Sequence, residues 1–555
     1  MAYLTVQPHV LASAAADVAK IGSAINATNA AVARQTTGVA SAALDEVSTA
    51  TATLFNTYAQ EFQANLGQGA AFHDGFTRAL SAASSAYAEV ESASASAVRA
   101  LNAPPTPNVA ATVTLALGGS GNPIPSLSYV NAVVSKYITS NFPAFTVTNA
   151  QGLFTPEAFY PLTGIKDLIP NVSVSQGLSI LDHAIHQQLD AGNNVAVVGF
   201  SQSSIIASLE MNQLDPSGTP SGLPVVFSLL GDPMNPNGGL LARFPGLTMP
   251  SLGFTFYGAT PGNDFTTNIY TIEYDGFADF PQYPINFLAD LNAIAGIYYV
   301  HGTYADLTPT QIGSAIPLTN TVGPTMTTYH MIPNPQLPLL EPLRAIPVVG
   351  NPVADLLEPD MRVLVNLGYG SPDQGWSTGP PNVATSFGLF PSVNPGTILA
   401  DLATGTQQGI GAFGSDVGAA GSGASPSVLT HALLSTPPPP LSAPSPSSID
   451  GLIGALKIAN TNAADAFSNA LATSYSVLLP TADFVNAALI SVPSYDLNLF
   501  LGGISQALNG DPLGLINAVG DPIAADVALF TIAGGFETIV LVSAAESIIG
   551  DFAGL

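Results

Sequence analysis

One strand–turn–helix unit constrains the fold of this chain more than any other feature. The run Asn194–Phe200 is apolar and rich in valine, as expected of a buried strand, and the helical stretch Gln202–Asn212 follows after one residue. Ser201 stands at the junction, with Gly199 two positions before it and Ser203 two positions after it. A sharp strand-to-helix turn needs small residues at those positions and presents the serine hydroxyl at the sheet edge. The unit predicts an α/β fold with Ser201 as nucleophile; the alternative is an ordinary turn with an exposed serine.

Short apolar runs alternate with helical stretches around this unit. The further predicted strands are Ala111–Leu117, Pro224–Leu230 and Asn268–Tyr274, and the further predicted helices are Ser128–Thr139 and Ser175–Leu189. Continuous apolar strands between helices are typical of a mostly parallel sheet that is covered on both faces. The fold class expected for residues 111–370 is therefore α/β, with an α/β-hydrolase-like sheet.

A nucleophilic serine needs a base, and histidine is the usual choice. Three histidines follow Ser201, namely His301, His330 and His431. His301 is preferred because it ends a short apolar run at a Gly turn, which suits a catalytic loop; the alternative is a hydrogen-bonded structural histidine. His330 is the second choice, and His431 falls in a linker-like segment.

The base needs an orienting carboxylate, which in this fold comes between the serine and the histidine in the chain. The predicted strand Asn268–Tyr274 is followed by Asp275 and Asp279, at the strand end where α/β sheets hold their ligands. We prefer Asp279, because the Asp275 side chain could instead cap the turn. Asp275 is the alternative acid, and Asp232, after the strand Pro224–Leu230, is a third candidate.

The oxyanion of an acyl-transfer reaction needs two donors. The backbone N–H of Gln202 follows the nucleophile, and the Gly-rich loop Gly118–Asn122 follows the first predicted strand. Gly119 would supply a backbone donor from this loop, and Ser120 could add its hydroxyl. The loop has no accompanying lysine, so it is not a nucleotide-binding P-loop.

Composition excludes several functional classes. Ten Lys and Arg residues stand against 37 Asp and Glu, for a formal net charge of -27, so the basic surface that nucleic acids require is lacking. Because there is no cysteine, we expect no disulfide and no thiolate metal site, and no histidine spacing suggests zinc. We therefore expect no cofactor.

The chain around this domain divides into further segments. The N-terminal hundred residues are rich in Ala, with helical runs over Pro8–Ala33 and Leu44–Ala95, and two such helices would leave an apolar face for a partner. No signal peptide is predicted at the N-terminus.

The apolar stretch Val527–Gly550 is interrupted by Glu537 and Glu546, so it is interpreted as a buried or surface-associating segment, with a membrane span as the alternative. The predicted segments are a helical hairpin (1–98), a Pro-rich linker (99–110), the α/β domain (111–370), an extension (371–413), a flexible linker (414–448) and an apolar, mainly helical C-terminal region (449–555).

The N-terminal segment resembles the N-terminal domain of the mycobacterial PE family. The resemblance is carried by Thr36–Val39, Asp45–Ser48, Phe55 and Ala70–His73; the family's Pro-Glu pair is Pro8-His9 here. The resemblance implies secretion by a type VII system and a helical partner of the PPE type. It also implies a secretion signal at Tyr87 and Glu91, and hence a cell-envelope or cell-surface location.

Residues from about 110 to 370 resemble the PE-PPE domain, an α/β serine hydrolase related to cutinases. The matching stretches are Gly118–Pro123, Gly199–Ser203, Gly231–Pro233, Tyr274–Pro281, Val300-His301 and Leu339–Gly350. By comparison with cutinase, Asp279 looks like the acid and Ser120 like the oxyanion hydroxyl. The resemblance implies a serine esterase or lipase that acts on acyl esters or envelope lipids. The alternatives are an acyltransferase that builds glycolipids with the same triad, and a non-catalytic surface protein.

Overall fold

The computed structural model describes residues 110–423 except residue 166, residues 449–553, and short stretches between residues 18 and 77. The chain divides into two compact units, Met1–Val109 and Ala110–Leu555. The predicted secretion signal at Tyr87 and Glu91, most of the linker 99–110, and His431 lie outside the described residues.

The described part of the first unit contains two antiparallel helical stretches. Asn29 and Gln63 exchange two side-chain hydrogen bonds, of 2.6 and 2.8 Å. Nearer the turn, the Asn56 side chain bonds both the N–H and the C=O of Val39. Asn29 pairs with Gln63, and Val39, further along the chain, pairs with Asn56, which precedes Gln63. The second helical stretch therefore runs antiparallel to the first, as the predicted hairpin requires.

The second unit is built on a seven-stranded sheet with the order β2-β1-β3-β4-β7-β9-β8. Six strands pair in parallel, and β8 pairs antiparallel at one edge. A separate antiparallel pair is formed by β5 and β6. The strands are β1 Thr112–Ala116, β2 Ala150–Gly152, β3 Asn194–Phe200, β4 Val225–Leu230, β5 Thr248–Met249, β6 Phe254–Thr255, β7 Thr266–Ile272, β8 Ile316–Leu318 and β9 Thr327–Ile332.

Helices cover both faces of this sheet. In the second unit they are α1 Leu127–Val133, α2 Pro170–Asp190, α3 Gln202–Leu214, α4 Leu240–Arg243, α5 Phe287–Tyr299, α6 Pro309–Gly313, α7 Glu341–Arg344, α8 Gly350–Asn366, α9 Pro395–Gly423, α10 Ile449–Ser476, α11 Leu478–Asn486, α12 Val492–Leu508 and α13 Gly514–Ala553. Short π-helical turns extend α1 over Val134–Thr139 and join α11 to α12 over Ala487–Ser491.

The interior strand β3 has a continuously apolar sequence because both of its faces are buried. Val195 and Val197 belong to one core cluster, and Ala196 and Val198 belong to the cluster on the opposite face. All four side chains are fully buried. Because successive side chains of a strand point to opposite faces, both faces of β3 must be covered, which confirms the predicted α/β architecture.

The C-terminal region is helical, as predicted, and its later helices join the core of the hydrolase-like domain. Ala525, Ala528 and Phe536 of α13 belong to the same buried cluster as Val195 of β3. The helix α9 continues to Gly423, so the predicted linker 414–448 starts with helix; residues 424–448 lie outside the description.

Two stretches of this region, Asn460–Leu508 and Gly514–Phe552, are long and apolar enough to cross a membrane by length and composition alone. The second of them contains the predicted apolar stretch Val527–Gly550. Only 28% of its most apolar window is buried inside the molecule.

Candidate active site

Ser201 lies at a strained turn between β3 and α3. Its backbone has φ 58° and ψ -117°, a conformation that a residue with a side chain adopts only where the surrounding structure enforces it. A Cβ at Gly199 would lie 2.8 Å from the backbone oxygen of Ser203, so only glycine fits there. The strand, turn and helix predicted from the sequence are therefore present, with Ser201 at the carboxyl edge of the sheet.

Ser203 stands where a second glycine is more usual, and its side chain has a defined role in the turn. Its hydroxyl accepts a hydrogen bond from the N–H of Phe200 at 2.8 Å and lies 3.1 Å from the Phe200 carbonyl oxygen. The hydroxyl thus closes the turn from inside. A small residue is still required, and serine adds a bond that glycine could not make.

His301 connects the serine to a carboxylate. Its Nε2 lies 2.7 Å from the Ser201 Oγ, and its Nδ1 lies 2.8 Å from Oδ1 of Asp275. Ser201 and His301 are each 7% exposed, and Asp275 is fully buried. His301 sits on a short turn, His301–Thr303, directly after α5, a helix that was not predicted from the sequence.

The preferred acid, Asp279, does not contact the imidazole. Its Oδ2 accepts a hydrogen bond from the backbone N–H of Tyr274 at 3.0 Å, and its Oδ1 has no hydrogen-bond partner within the described part of the chain. Burial raises the pKa of Asp279 well above its usual value, which favours a protonated side chain. The structure therefore replaces Asp279 with the alternative, Asp275, as the partner of His301.

The reason for this exchange lies in the turn after β7. Tyr274 has a φ of 67°, so the chain reverses immediately before Asp275 and turns that carboxylate toward His301. Asp275 also caps the turn, since its Oδ1 accepts the N–H of Phe277 at 3.1 Å. The capping role that argued against Asp275 and its contact with His301 thus coexist in one side chain.

The remaining candidate base and acid have other partners. His330 lies on β9, where its Nε2 is 3.0 Å from Oδ1 of Asn268 and its ring stacks on Tyr270. Asp232 accepts hydrogen bonds from the N–H of Met234 and the hydroxyl of Thr260. Both residues therefore hold local structure rather than complete a contact with Ser201.

Sequence reasoning missed two residues that shape the site. The Tyr304 hydroxyl donates to Oδ2 of Asp275 at 2.7 Å and accepts the N–H of Ile272 at 2.9 Å. Gly231 has φ 54°, and a Cβ there would lie 2.8 Å from the Tyr304 ring and 3.1 Å from Cε1 of His301. A signal for Gly231 was present in the matched stretch Gly231–Pro233, whereas no sequence pattern pointed to Tyr304.

The Gly-rich loop lies next to the serine turn. A Cβ at Gly119 would lie 2.6 Å from the Phe200 ring, so the loop passes close to the residue before Ser201. The Gln202 side chain donates to the Ser120 hydroxyl at 3.3 Å and to the carbonyl of Ala158 at 2.9 Å. Gln202 is also the first residue of α3, so its backbone N–H has no acceptor within the helix. The three predicted oxyanion residues are thus near Ser201.

Among the described residues, no cluster of His, Asp and Glu side chains could hold a metal ion. The side chains that the structure brings together at this edge of the sheet are a serine, a histidine and a carboxylate in a hydrogen-bonded chain.

Comparisons with known proteins place the chain in a family. Residues 4–94 match the model of the PE family, and residues 146–370 match the model of the PE-PPE domain. Over 467 residues the chain is 54% identical to the uncharacterized PPE family protein PPE28 of Mycobacterium tuberculosis, covering 82% of this chain and 70% of that protein. Over 395 residues it is 47% identical to Esterase PE16 of the same organism, covering 70% of this chain and 73% of that protein.

A more distant relative is Diacyltrehalose acyltransferase Chp2 of Mycobacterium tuberculosis, which is 32% identical over 323 residues, covering 53% of this chain and 86% of that protein. No solved structure matches the chain. The match to PPE28 is longer than residues 1–370, so it must include part of the C-terminal region. The chain belongs to the PE family and carries a PE-PPE domain.

Proposed function

We propose that this protein is a serine hydrolase of acyl esters, with Ser201 as nucleophile, His301 as general base and Asp275 as the carboxylate that orients the imidazole. The observation that carries the proposal is the continuous chain from the Ser201 Oγ to His301 Nε2 (2.7 Å) and from His301 Nδ1 to Asp275 (2.8 Å). This spacing allows direct proton transfer from the serine hydroxyl to the imidazole.

The reaction proceeds through an acyl-enzyme. The Ser201 Oγ bonds to the ester carbonyl carbon while its proton passes to His301 Nε2, and the carbonyl π electrons move to the oxygen. The Gln202 N–H and the Ser120 loop stabilise this oxyanion. When the tetrahedral intermediate collapses, the C–O bond to the alcohol breaks and His301 protonates the leaving oxygen. Water then attacks the acyl carbonyl carbon and gives a proton to His301 Nε2. When this second tetrahedral intermediate collapses, the C–O bond to Ser201 breaks, His301 returns the proton to the Ser201 Oγ, and the carboxylic acid leaves.

The relatives support this type of chemistry in general terms. The name Esterase PE16 supports an ester-hydrolysing activity for this chain, and the name Diacyltrehalose acyltransferase Chp2 supports an acyl-transferring one. Both activities share the acyl-enzyme and differ only in the group that accepts the acyl chain.

A fluorophosphonate probe tests the nucleophile directly, because it forms a stable bond only with an activated serine. We expect labelling of the wild-type protein and of a Ser217→Ala control, in which an exposed serine is removed. Labelling is expected to vanish in Ser201→Ala. A folded wild-type protein that is not labelled, or a Ser201→Ala protein that is, contradicts the proposal.

The acyltransferase alternative draws on the relative named Diacyltrehalose acyltransferase Chp2, which supports transfer of the acyl group to a sugar hydroxyl. In that reaction the same acyl-enzyme reacts with a bound acceptor instead of water. In a reaction with an added sugar, an acyltransferase yields mainly acyl sugar, whereas a hydrolase yields mainly free acid, as measured by mass spectrometry.

The first unit exposes large apolar side chains, as a surface that binds another protein does. Leu54, Phe55 and Phe62 are 57%, 59% and 59% exposed on the second helical stretch. We propose that a helical protein of the PPE type covers them and that the pair is exported to the cell envelope. If so, Tyr87→Ala abolishes export in a fractionated mycobacterial culture, whereas Tyr475→Ala, a change in the C-terminal region, does not; equal export of both contradicts this role for Tyr87.

A further inference from the structure

Two cavities meet beside the nucleophile. The first, of about 20 Å³, is lined by Ser201, Gln202 and Ser120, by the polar side chains of Asn171, Thr255 and Tyr257, and by apolar side chains. The second, of about 50 Å³, lies between the hydrolase-like domain and the C-terminal helices. Phe159 and Phe254 line both cavities, and their rings stack in parallel with centroids 5.6 Å apart. This pair of rings is therefore the partition between the nucleophile and the second cavity.

Among the residues that the structure describes, those that line the second cavity are all uncharged. Its walls are aliphatic and aromatic side chains, and the one polar side chain among them is that of Tyr160. The Tyr160 hydroxyl already donates to Asp483 at 2.6 Å. The cavity can thus accept hydrocarbon, because it offers no free partner to a polar group.

The C-terminal helices form one wall of this cavity. Phe484 of α11 and Leu529, Ala533 and Phe536 of α13 all line it. Phe536 meets the edge of Phe159 at 6.3 Å and lies 6.0 Å from Phe277, with distances taken between ring centroids. Phe277 in turn lies 4.8 Å from the His301 ring. One ring, that of Phe277, therefore lies between the Phe536 ring of this wall and the imidazole of His301.

This wall is attached to the domain by specific contacts. Asp483 lies in the last turn of α11. Its carboxylate accepts a hydrogen bond from the Tyr160 hydroxyl, and its backbone oxygen accepts one from the Ser251 hydroxyl at 2.9 Å. On α13, a Cβ at Gly535 would lie 2.6 Å from a methyl group of Ile294 on α5, so the two helices approach as closely as only glycine permits. The C-terminal helices are thus a built part of the site's surroundings.

We infer that the acyl chain of the substrate lies in the joined cavities, between Phe159 and Phe254 on one side and α13 on the other. The chain enters the second cavity as the Phe159 and Phe254 rings, which separate the two cavities, turn aside. The residues of α13 then set the length of acyl chain that is accepted, and the substrate class is an ester of a fatty acid. This inference rests on the proposed esterase function.

The energetic expectation follows from hydrocarbon burial. Each CH₂ group that leaves water for the cavity should raise kcat/KM by roughly fourfold, until the chain reaches the end wall. A large side chain placed at Ala533 fills the cavity, and loss of the Phe536 ring widens it. The two changes should therefore shift chain-length selectivity in opposite directions.

The experiment compares p-nitrophenyl acetate, butyrate, octanoate and palmitate in full-length protein. In Ala533→Trp the ratio of kcat/KM for octanoate to that for acetate should fall by on the order of tenfold or more. In Phe536→Ala the ratio of kcat/KM for palmitate to that for acetate should rise. Ala545→Trp is the matched control, because it places the same side chain at an exposed alanine of α13, and its ratios should equal those of the wild type. Unchanged ratios in both cavity variants overturn the inference while the esterase function stands.

A binding measurement separates failure of the inference from failure of the function. The fluorescent fatty acid cis-parinaric acid should bind saturably to Ser201→Ala protein, more weakly when Ala533→Trp is added, and unchanged when Ala545→Trp is added. This readout needs no turnover. Equal binding of the fatty acid by Ser201→Ala and by both double variants overturns the inference that the acyl chain lies in the cavity. A wild-type protein that binds the fatty acid but hydrolyses no ester and is not labelled by the fluorophosphonate overturns only the proposed esterase function.

Discussion

The hydroxyl of Tyr304 donates a hydrogen bond of 2.7 Å to Oδ2 of Asp275, and this contact fixes the carboxylate that faces His301. The other oxygen, Oδ1, is 2.8 Å from His301 Nδ1 and accepts the N–H of Phe277. The Tyr304 hydroxyl is itself held by the N–H of Ile272 at the end of β7. The orientation of the imidazole therefore depends on a tyrosine whose hydroxyl bonds the carboxylate and not the serine.

Removing this hydroxyl should weaken catalysis without abolishing it. A hydrogen bond to a charged group contributes about 1.5–3 kcal/mol, so Tyr304→Phe should lower kcat/KM for a short ester by on the order of tenfold, mainly in kcat. The matched control is Tyr137→Phe, which removes a buried hydroxyl that donates to the Tyr304 backbone oxygen. Equal losses of activity in the two variants would mean that Tyr304 acts through stability alone.

The space around the His301–Asp275 pair depends on Gly231. Gly231→Ala combines a positive φ with a Cβ 2.8 Å from the Tyr304 ring and 3.1 Å from Oδ2 of Asp275. The new methyl group should therefore displace both the Tyr304 ring and the Asp275 carboxylate. We expect loss of most of the activity, together with a free energy of unfolding lower by about 1–3 kcal/mol. Gly246→Ala is the control, because Gly246 also has a positive φ but no atom lies within 4 Å of its Cβ position. That variant should lose stability and keep its kcat; a kcat loss as large as that of Gly231→Ala would refute the steric explanation.

A buried carboxyl beside the Gly-rich loop should make stability depend on pH. The Glu157 backbone oxygen accepts the N–H of Gly121, and burial raises the pKa of its side chain from 4.5 to about 8. An acid with a raised pKa in the folded state stabilises the protein while protonated, and this stability is lost as the pH rises from the unfolded to the folded pKa. The loss for one such group is on the order of 5 kcal/mol.

Glu157→Gln keeps the shape of the side chain and cannot ionise. Between pH about 5 and about 9, the melting temperature should therefore fall less in this variant than in the wild type. Thermal unfolding followed by circular dichroism measures both proteins. A parallel fall in the two would exclude ionisation of Glu157 as a source of the pH dependence.

The architecture was predictable because it depends on short-range patterns. The apolar run of β3 can be buried only between two layers of helix, and the turn at Ser201 needs its small neighbours Gly199 and Ser203. Both requirements can be seen in the sequence alone. The short edge strand β2 lacks such a pattern and was not predicted.

The identity of the carboxylate depends on geometry that spacing does not encode. Asp275 and Asp279 lie four residues apart in one turn, and the positive φ of Tyr274 decides which of them faces His301. Tyr304 follows His301 by three residues, and only the fold shows that its hydroxyl returns to Asp275. The wall that α13 contributes beside the site is likewise a long-range contact, so the apolar pattern of α13 predicts burial without predicting a neighbour.

The most direct test compares Asp275→Asn with Asp279→Asn in the hydrolysis of p-nitrophenyl acetate. Each change removes one carboxylate and preserves the shape of its side chain, and fluorophosphonate labelling follows the reactivity of Ser201 in parallel. The structure predicts that Asp275→Asn lowers kcat by on the order of 10⁴-fold, because His301 loses the partner of its Nδ1. Asp279→Asn should lower kcat by less than about tenfold, because that side chain bonds the Tyr274 N–H and not the imidazole. A large loss in Asp279→Asn beside an active Asp275→Asn would contradict the arrangement of Ser201, His301 and Asp275 as the catalytic triad.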